Sequence, residues 1–143
     1  MKHVGRNEDV EPDGDTVTPH DDELLDVVDH ADRVIGTALR SELYRHGLTC
    51  FRVVNAFIRN SRGELWIPRR AASKRLFPLC LDASMGGHVA SGETYEEALC
   101  RELREELAIA LDDANWRMLG SMMPHVHGTS AFMRVFEIES ELA

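Results

Sequence analysis

Three glutamates near the middle of the chain have the chemical type and the spacing to hold a divalent cation. Glu102, Glu105 and Glu106 stand at positions i, i+3 and i+4, so an α-helix would place their carboxylates on one face. Like charges placed in this way repel each other, and a cation among them would relieve the repulsion. Carboxylates without a nearby Cys or His pair suit a hard ion, so the spacing indicates Mg²⁺ or Mn²⁺. The alternative is a solvated acidic face, partly neutralised by Arg101 and Arg104.

The surrounding residues predict the helix that would carry these carboxylates. Thr94 followed by Glu97 forms a capping box, which satisfies exposed backbone donors at a helix start. Leu99, Leu103 and Leu107 recur at every fourth position and form a core-facing stripe. At about 100° per residue, the acidic face lies roughly a quarter-turn from that stripe. We therefore expect a helix with one side packed on a core and the acidic side open to solvent or a ligand.

A glycine-containing segment comes directly before the helix and ends in a fourth acidic residue. Gly86, Gly87 and Gly92 bracket a short loop that leads to Glu93. Glycine permits positive φ angles and close backbone approach, so such a loop can turn a carbonyl toward the acidic face. The carbonyl of either Gly86 or Gly87 is a candidate cation ligand. Glu93 is expected to accept hydrogen bonds from the loop or to pair with Arg101.

The pattern formed by Gly87, Glu93 and the run from Arg101 to Glu106 resembles the Nudix box of Nudix hydrolases. The motif spans residues 87–109 with its glycine and polar positions at fixed spacing, which makes it far more specific than a lone glycine motif. One position departs from the family, which usually has glycine where this chain has Ala108. A glycine there would form a left-handed helix cap, so alanine predicts a different exit from the helix.

The resemblance implies a reaction and a role for each carboxylate. Nudix hydrolases split a diphosphate linked to another group by attack of water, with Mg²⁺ (or Mn²⁺) as cofactor. By this resemblance Glu102 and Glu106 are the firmest metal ligands, and Glu105 is a further ligand or the general base. The carbonyl of Gly87 or its neighbour Gly86 is a weaker candidate ligand.

Several arginines have expected roles beside the metal. Arg101 is expected to orient a carboxylate through a bidentate ion pair with Glu93, in support of catalysis. Arg69 and Arg70 open the dense basic cluster of residues 69–75 and are candidates to bind the diphosphate substrate. The alternative for these two arginines is an ordinary solvated surface.

Three histidines and three late acidic residues are weaker candidates. His88 matches a metal-binding histidine of isopentenyl-diphosphate isomerase, but the rest of that site is missing, so we expect a loop histidine. His125 and His127 lie in a predicted loop and either line the substrate entrance or face solvent. In some Nudix enzymes an acidic residue outside the box assists the metal, and the late candidates here are Glu137, Glu139 and Glu141.

The predicted elements indicate an α/β (α+β) fold, and the resemblance implies a Nudix-type α/β/α sandwich with a mixed sheet and an apparently shortened C-terminal part. Strands are predicted at 24–28, 33–38, 51–59, 64–67, 116–122 and 130–138, with a helical turn at 41–46 and mainly loop at 68–85. The resemblance runs from about residue 23 to 139 and is to the branch near isopentenyl-diphosphate isomerase. Gly86 stands where that enzyme has a catalytic cysteine, so the isomerase-like hydrolases are the better match.

Length and charge bound the remaining possibilities. The chain has 143 residues and a formal net charge of −9, which argues against binding nucleic-acid backbones. Residues 1–20 are predicted to be a disordered acidic tail, and residues 21–143 a single domain. No apolar run approaches the length of a membrane span.

The three cysteines are odd in number and follow no metal spacing, so we expect reduced, buried residues in a cytoplasmic protein. A shortened C-terminus would leave apolar surface that a homodimer could cover.

Two functions of different classes follow from the sequence. The first is Mg²⁺- or Mn²⁺-dependent hydrolysis of a small-molecule diphosphate, either a nucleoside di- or triphosphate or a related X-linked diphosphate. The second is a Nudix-fold module that binds a nucleotide or a partner with little turnover. Isopentenyl-diphosphate isomerase is the less favoured third possibility.

Overall fold

A computed structural model describes residues 22–74 and 76–141, and they form the expected mixed α/β fold. The elements in chain order are β1 (Leu24–Val28), β2 (Val34–Leu39), α1 (Arg40–Arg45), β3 (Arg52–Arg59), β4 (Leu65–Trp66), β5 (Met85–His88), α2 (Tyr95–Leu107), a 3₁₀ turn (Leu111–Asp113), β6 (Asn115–Met122), α3 (Pro124–His127) and β7 (Phe132–Glu139). The predicted acidic tail, residues 1–20, lies outside the described residues.

Strand β3 is the centre of a mixed five-stranded sheet in the described part of the chain. It pairs parallel with β7 on one side and antiparallel with β4 and β5 on the other, while β6 pairs antiparallel with β7. Alternate residues of β3, Val54 and Ala56, face the buried Leu99 and Leu103 of helix α2 in one apolar cluster. Helix α2 is therefore fixed across β3 and β5.

A smaller unit made of β1, β2 and α1 packs on the opposite face of the sheet. Strands β1 and β2 form an antiparallel pair, and Leu25, Leu43, Phe51 and Ala131 bury a second apolar cluster. A single antiparallel bridge joins Leu25 to Ala90, in the segment that leads into α2. This unit thus reaches the segment that carries the sequence motif.

Several local predictions were wrong. Residues 85–88 form strand β5 rather than the predicted loop. The sequence did not reveal this strand because Gly86 and Gly87 have no side chains to show the alternation by which a strand is recognised. Ala108 adopts the left-handed conformation that a glycine cap would have, with φ of 53°, so the helix exit is unchanged. Cys80 is exposed, and Cys50 and Cys100 are only partly buried. No helix among the described residues is long and apolar enough to cross a membrane.

Candidate metal and catalytic site

Helix α2 forms as its capping residues and apolar stripe predict. The hydroxyl of Thr94 accepts a hydrogen bond from the backbone N–H of Glu97, and the Glu97 carboxylate accepts one from the N–H of Thr94. Leu99 and Leu103 are fully buried against the sheet. This anchoring fixes the rotation of the helix, so its acidic face turns toward strand β5.

Glu102 lies flat against the backbone of strand β5. A Cβ atom added to Gly87 would stand 2.3 Å from Cδ of Glu102, well inside any permitted contact. Only glycine therefore leaves room for this carboxylate, whose side chain is 11% exposed. The first and last parts of the motif, 15 residues apart in sequence, meet at this contact.

The guanidinium group of Arg101 ties the carboxylates together. It makes the predicted bidentate pair with Glu93, through Nε to Oε1 at 2.7 Å and Nη2 to Oε2 at 2.9 Å. Nη1 donates to Oε1 of Glu102 at 2.8 Å and lies 3.5 Å from Oε2 of Glu105. Nη2 also donates to the carbonyl of His88 at 3.1 Å. Arg101 is thus engaged within the site on every side.

The pairing of β5 with β3 distinguishes the two candidate backbone carbonyls. The N–H of Val89 donates to the carbonyl of Arg52, and hydrogen-bonded pairs alternate along an antiparallel ladder. By this alternation the carbonyl of Gly87 points toward β3, whereas the carbonyls of Gly86 and His88 point away from it. The bond from Arg101 to the His88 carbonyl agrees with this orientation. The pairing therefore favours Gly86 over Gly87 as a backbone ligand.

The acidic face carries more negative charge than its surroundings neutralise. Burial raises the pKa of Glu102, against the opposing effect of Arg101, and the charges of Glu105 and Glu23 raise it further. Partial burial also raises the pKa of Glu106, followed by the influence of Glu102, which is within hydrogen-bond reach. In contrast, the hydrogen bonds from Arg101 hold the pKa of Glu93 below its ordinary value. Glu102 and Glu106 are the carboxylates that a further cation would stabilise.

The donor set fits a hard divalent cation in its chemistry. Glu102, Glu105 and Glu106 offer only oxygen, and the absent Cβ of Gly87 brings a backbone strand against the first of them. Across residues 22–74 and 76–141, no three acidic, histidine or cysteine side chains are already gathered for one ion. The positive charge that contacts Glu102 and Glu105 here is the guanidinium of Arg101.

Arg69 and Arg70 lie in the segment between β4 and β5, where their side chains bind that segment. Arg69 donates to the carbonyl of Leu79 at 2.8 Å, and Arg70 donates to the carbonyl of Leu76 at 3.0 Å and to Asp82 at 3.0 Å. Asp82 belongs to the acidic surroundings of the site, because its charge contributes to the raised pKa of Glu106. Arg70 therefore approaches the site through Asp82, and substrate binding by either arginine stays a prediction.

The three late acidic residues lie apart from this site. Phe136 and Ile138 face the core beneath α2, so Glu137 between them points to the opposite face of the sheet. Glu137 accepts a hydrogen bond from Arg117 at 3.1 Å and lies 3.3 Å from Arg59, and Glu139 lies 3.6 Å from Arg59. Glu141 accepts a hydrogen bond from the backbone of residue 61. The structure gives these carboxylates partners of their own.

His88 is the last residue of strand β5 and packs, partly buried, on Phe51 of the second apolar cluster, so the expectation of a loop histidine was wrong. Its ring stacks on Phe51, with centroids 5.8 Å apart, and its Nε2 lies 2.8 Å from the hydroxyl of Tyr44. Burial lowers the pKa of His88 to about 4, so the ring is neutral at neutral pH. His125 and His127 belong to helix α3, where His125 stacks on His30 and His127 accepts a hydrogen bond from the backbone of residue 123.

Two acidic residues near the site, one just before β1 and one within it, were not identified from the sequence. Glu23 lies 3.9 Å from Nδ1 of His88, and its negative charge contributes to the raised pKa of Glu102. Asp26 is buried and accepts hydrogen bonds from the Ser91 hydroxyl and the Gly92 N–H. A signal for Asp26 was present, because a charged residue interrupts the otherwise apolar strand LLDVV.

Comparison with known proteins agrees with this geometry. The NUDIX domain family matches residues 51–141 of the chain. An uncharacterized Nudix hydrolase of Nostoc sp. is 61% identical over 116 residues, which cover 81% of this chain and 69% of that protein. The isopentenyl-diphosphate Delta-isomerase of Corynebacterium diphtheriae is 34% identical over 93 residues, covering 65% of this chain and 51% of the isomerase.

A solved structure shares the fold. The crystal structure of DR0079 from Deinococcus radiodurans superposes with a TM-score of 0.75 at 51% sequence identity, covering 85% of this chain and 74% of that one. The 85% of this chain that is covered is more than residues 51–141, which the family model matches, so the similarity to this structure extends back into β1, β2 and α1.

Proposed function

Because this chain belongs to the Nudix hydrolase family, we propose that it hydrolyses a nucleoside di- or triphosphate, or a related X-linked diphosphate, with Mg²⁺ or Mn²⁺ as cofactor. Water attacks phosphorus, and the bond between phosphorus and a bridging oxygen breaks. The observation that carries the proposal is the packing of Glu102 against Gly87. It joins the two halves of the motif into one oxygen-rich site in which burial raises the pKa values of Glu102 and Glu106.

The chain's own residues divide the work of holding the cation. Glu102 and Glu106 would bind it, with the backbone carbonyl of Gly86 as a further oxygen in preference to that of Gly87, which points toward β3. When bound, a divalent ion neutralises diphosphate charge and makes water a better nucleophile. The Glu105 side chain is 61% exposed and lies 3.5 Å from Arg101, so it is accessible either to bind the ion or to accept the proton of the attacking water.

Arg101 and Glu93 act by orienting the carboxylates. The planar fork of Arg101 is saturated by Glu93, Glu102 and the His88 carbonyl, which leaves it little capacity to bind substrate phosphate. Its position instead fixes which oxygen of Glu102 faces the solvent. This is the supporting role that the sequence motif implied.

A nucleotide-binding module with little turnover is the second candidate. The observation in its favour is that Arg101, within the described residues, already occupies Oε1 of the carboxylate expected to bind metal. Isomerase activity is less favoured because Gly86 offers no thiol. A cysteine at that position would place its Cβ 2.7 Å from Oδ1 of Asn55, so Asn55 would have to move.

A panel assay tests the proposal. Nucleoside di- and triphosphates, sugar nucleotides and isopentenyl diphosphate are each incubated with the protein and Mg²⁺ or Mn²⁺, and released phosphate, monophosphate or allylic product is measured. We expect hydrolysis of at least one nucleotide and about a 10³-fold lower kcat in Glu106→Gln. The matched control is Glu139→Gln, which removes a carboxylate at the end of strand β7, away from the site, and should change kcat less than about twofold. Equal turnover in Glu106→Gln and wild type would contradict the proposed mechanism.

A further inference from the structure

Asp26 of strand β1 lies outside the region matched by the family, yet it is bonded to the segment that precedes helix α2. Its side chain is buried, and the residue is 7% exposed. Oδ1 accepts a hydrogen bond from the Ser91 hydroxyl at 2.8 Å, and Oδ2 accepts one from the backbone N–H of Gly92 at 3.1 Å. Both carboxylate oxygens are therefore committed to two adjacent residues that are 65 positions or more away in sequence.

A buried carboxylate at this place has an energetic cost that an apolar residue would avoid. Desolvating a charge disfavours folding unless hydrogen bonds compensate for the lost water. The neighbours Leu25 and Val28 are buried in apolar surroundings, so a β-branched residue at position 26 would suit the strand. What Asp26 adds over such a residue is a fixed geometry for residues 91 and 92.

The segment that Asp26 holds is a tight turn that delivers Glu93 to the site. The N–H of Ser91 donates to the carbonyl of Leu24, and Gly92 has a φ of 83°, which a side chain would strain. The turn closes when Glu93 N–H donates to the carbonyl of Ala90 and the Glu93 carboxylate accepts from the Ala90 N–H at 2.9 Å. The position of the Glu93 carboxylate therefore depends on the turn.

From Glu93 the contacts continue to the expected metal ligands without a gap. Glu93 holds Arg101 by two hydrogen bonds, and Arg101 in turn donates to Oε1 of Glu102. Second-sphere residues that orient a ligand in this way commonly change metal affinity or activity by about 10–100-fold when removed.

We propose that Asp26 is a positioning residue of the hydrolase site. It holds the turn at Ser91 and Gly92, and the turn sets the Glu93–Arg101 pair that orients Glu102. This inference rests on the proposed function for the identity of the site. It adds that strand β1 supports the geometry of the site through Asp26.

The test compares three variants of the full chain. Asp26→Ala removes both hydrogen bonds, whereas Asp26→Asn keeps the shape and retains an oxygen acceptor for Gly92 and an amide for the Ser91 hydroxyl. Asp29→Ala is the matched control, because Asp29 also accepts two backbone hydrogen bonds, from Ala31 and Arg33, but in the turn between β1 and β2. Thermal unfolding of each variant fixes a temperature at which all are folded.

Two readouts are measured at that temperature. Binding of Mn²⁺, followed by its electron paramagnetic resonance signal, should weaken by about tenfold in Asp26→Ala. With a substrate from the panel, kcat should fall by about 10–30-fold while KM changes less than about threefold, because the effect acts on the carboxylates. Asp26→Asn should recover most of both losses. Asp29→Ala should match wild type within about twofold in both.

Unchanged Mn²⁺ affinity and kcat in folded Asp26→Ala would overturn the inference, as would equal losses in Asp29→Ala. If Asp26→Ala does not fold, Ser91→Ala removes one of the two bonds, and we expect about a threefold weaker Mn²⁺ affinity. Failure of the proposed function is a separate result. In that case wild type shows no hydrolysis in the panel, while the Mn²⁺ titration still compares the variants.

Discussion

Two sets of three closely spaced glutamates have opposite surroundings in the structure: Glu102, Glu105 and Glu106 on helix α2, and Glu137, Glu139 and Glu141 on β7 and just beyond it. On helix α2, Glu102 and Glu105 contact one arginine, Arg101, and Glu106 lies within hydrogen-bond reach of Glu102. On strand β7, which lies between β3 and β6, Glu137 contacts two arginines and Glu139 contacts one of them, and Glu141, just beyond the strand, is bonded to a backbone N–H. Each set places three carboxylates within five residues, but the first has one arginine beside it, whereas the second has two arginines and a backbone N–H.

The pKa directions express this difference. Arg117 lowers the pKa of Glu137, and the residue 61 side chain and backbone lower the pKa of Glu141. Burial raises the pKa of Glu102 and of Glu106. A carboxylate with a lowered pKa is already satisfied by the folded protein, whereas one with a raised pKa is held against its preference. The second condition is typical of sites that await a ligand.

The largest expected effect separates the two sets by activity. Glu102→Gln removes a charged oxygen that the site needs for its cation, so kcat should fall by about 10³-fold. Glu137→Gln removes a carboxylate of similar exposure on the other face of the sheet and should leave kcat within about twofold. Steady-state kinetics with the best panel substrate measures both, and similar losses in both variants would remove the distinction.

The second largest effect should come from the close contact between the Gly87 backbone and Glu102, which the Glu137 set lacks among the described residues. Gly87→Ala introduces a Cβ that would stand 2.3 Å from the Glu102 carboxyl, so the carboxylate or the strand must move. We expect about 1–3 kcal/mol lower free energy of unfolding and about 10²-fold lower kcat. Gly36→Ala in strand β2, where a Cβ meets nothing within 4 Å, is the control. Denaturant unfolding and kinetics on both variants check the pair, and a fully active Gly87→Ala would count against the site.

The arginines of the two sets should differ in how far lysine replaces them. Arg101→Lys keeps the charge but loses the fork that joins Glu93 to Glu102, so kcat should fall by about 10–100-fold. Arg117→Lys changes an arginine that is 70% exposed and should have no measurable effect on kcat. An Arg101→Lys enzyme with normal turnover would show that point charge alone is enough.

The smallest expected effect is on stability, and it has opposite signs in the two sets. Glu106→Gln removes a charge that repels Glu102, so the metal-free protein should melt about 1–3 °C higher although it is inactive. Glu137→Gln should lower the Tm, because two arginines lose their shared carboxylate. Because the pKa values of Glu102 and Glu106 are raised, the folded protein binds more protons than the unfolded chain, so lowering the pH through the carboxyl range should stabilise it through these two residues. The pKa values of Glu137 and Glu141 are lowered, so the same change in pH should remove their contribution to stability. Calorimetry without divalent ions measures both variants.

Short-range signals in the sequence were enough for the helix and for most of the sheet. The Thr94–Glu97 capping box and the leucine stripe are contained within one element, and α2 begins where they predict. The fold class followed from the family resemblance and agrees with the solved relative. Strand β5 was not predicted because its two glycines carry no side-chain pattern. The need for glycine becomes visible only in the fold, where a Cβ on Gly86 would collide with Asn55 and a Cβ on Gly87 with Glu102.

The spacing of Glu102, Glu105 and Glu106 established from residue types alone that one helical surface gathers three carboxylates, since helix geometry is local. That Glu137 lies between two arginines while Glu102 is buried against a strand depended on contacts between residues far apart in the chain: Arg59 and Arg117 for the first, and Gly87 for the second. The role of Asp26 has the same origin, because its partners lie 65 residues or more away. The charge and periodicity of a segment can be read from its own residues. The burial of a carboxylate and the charged groups that stabilise it depend on the neighbours that folding brings to it.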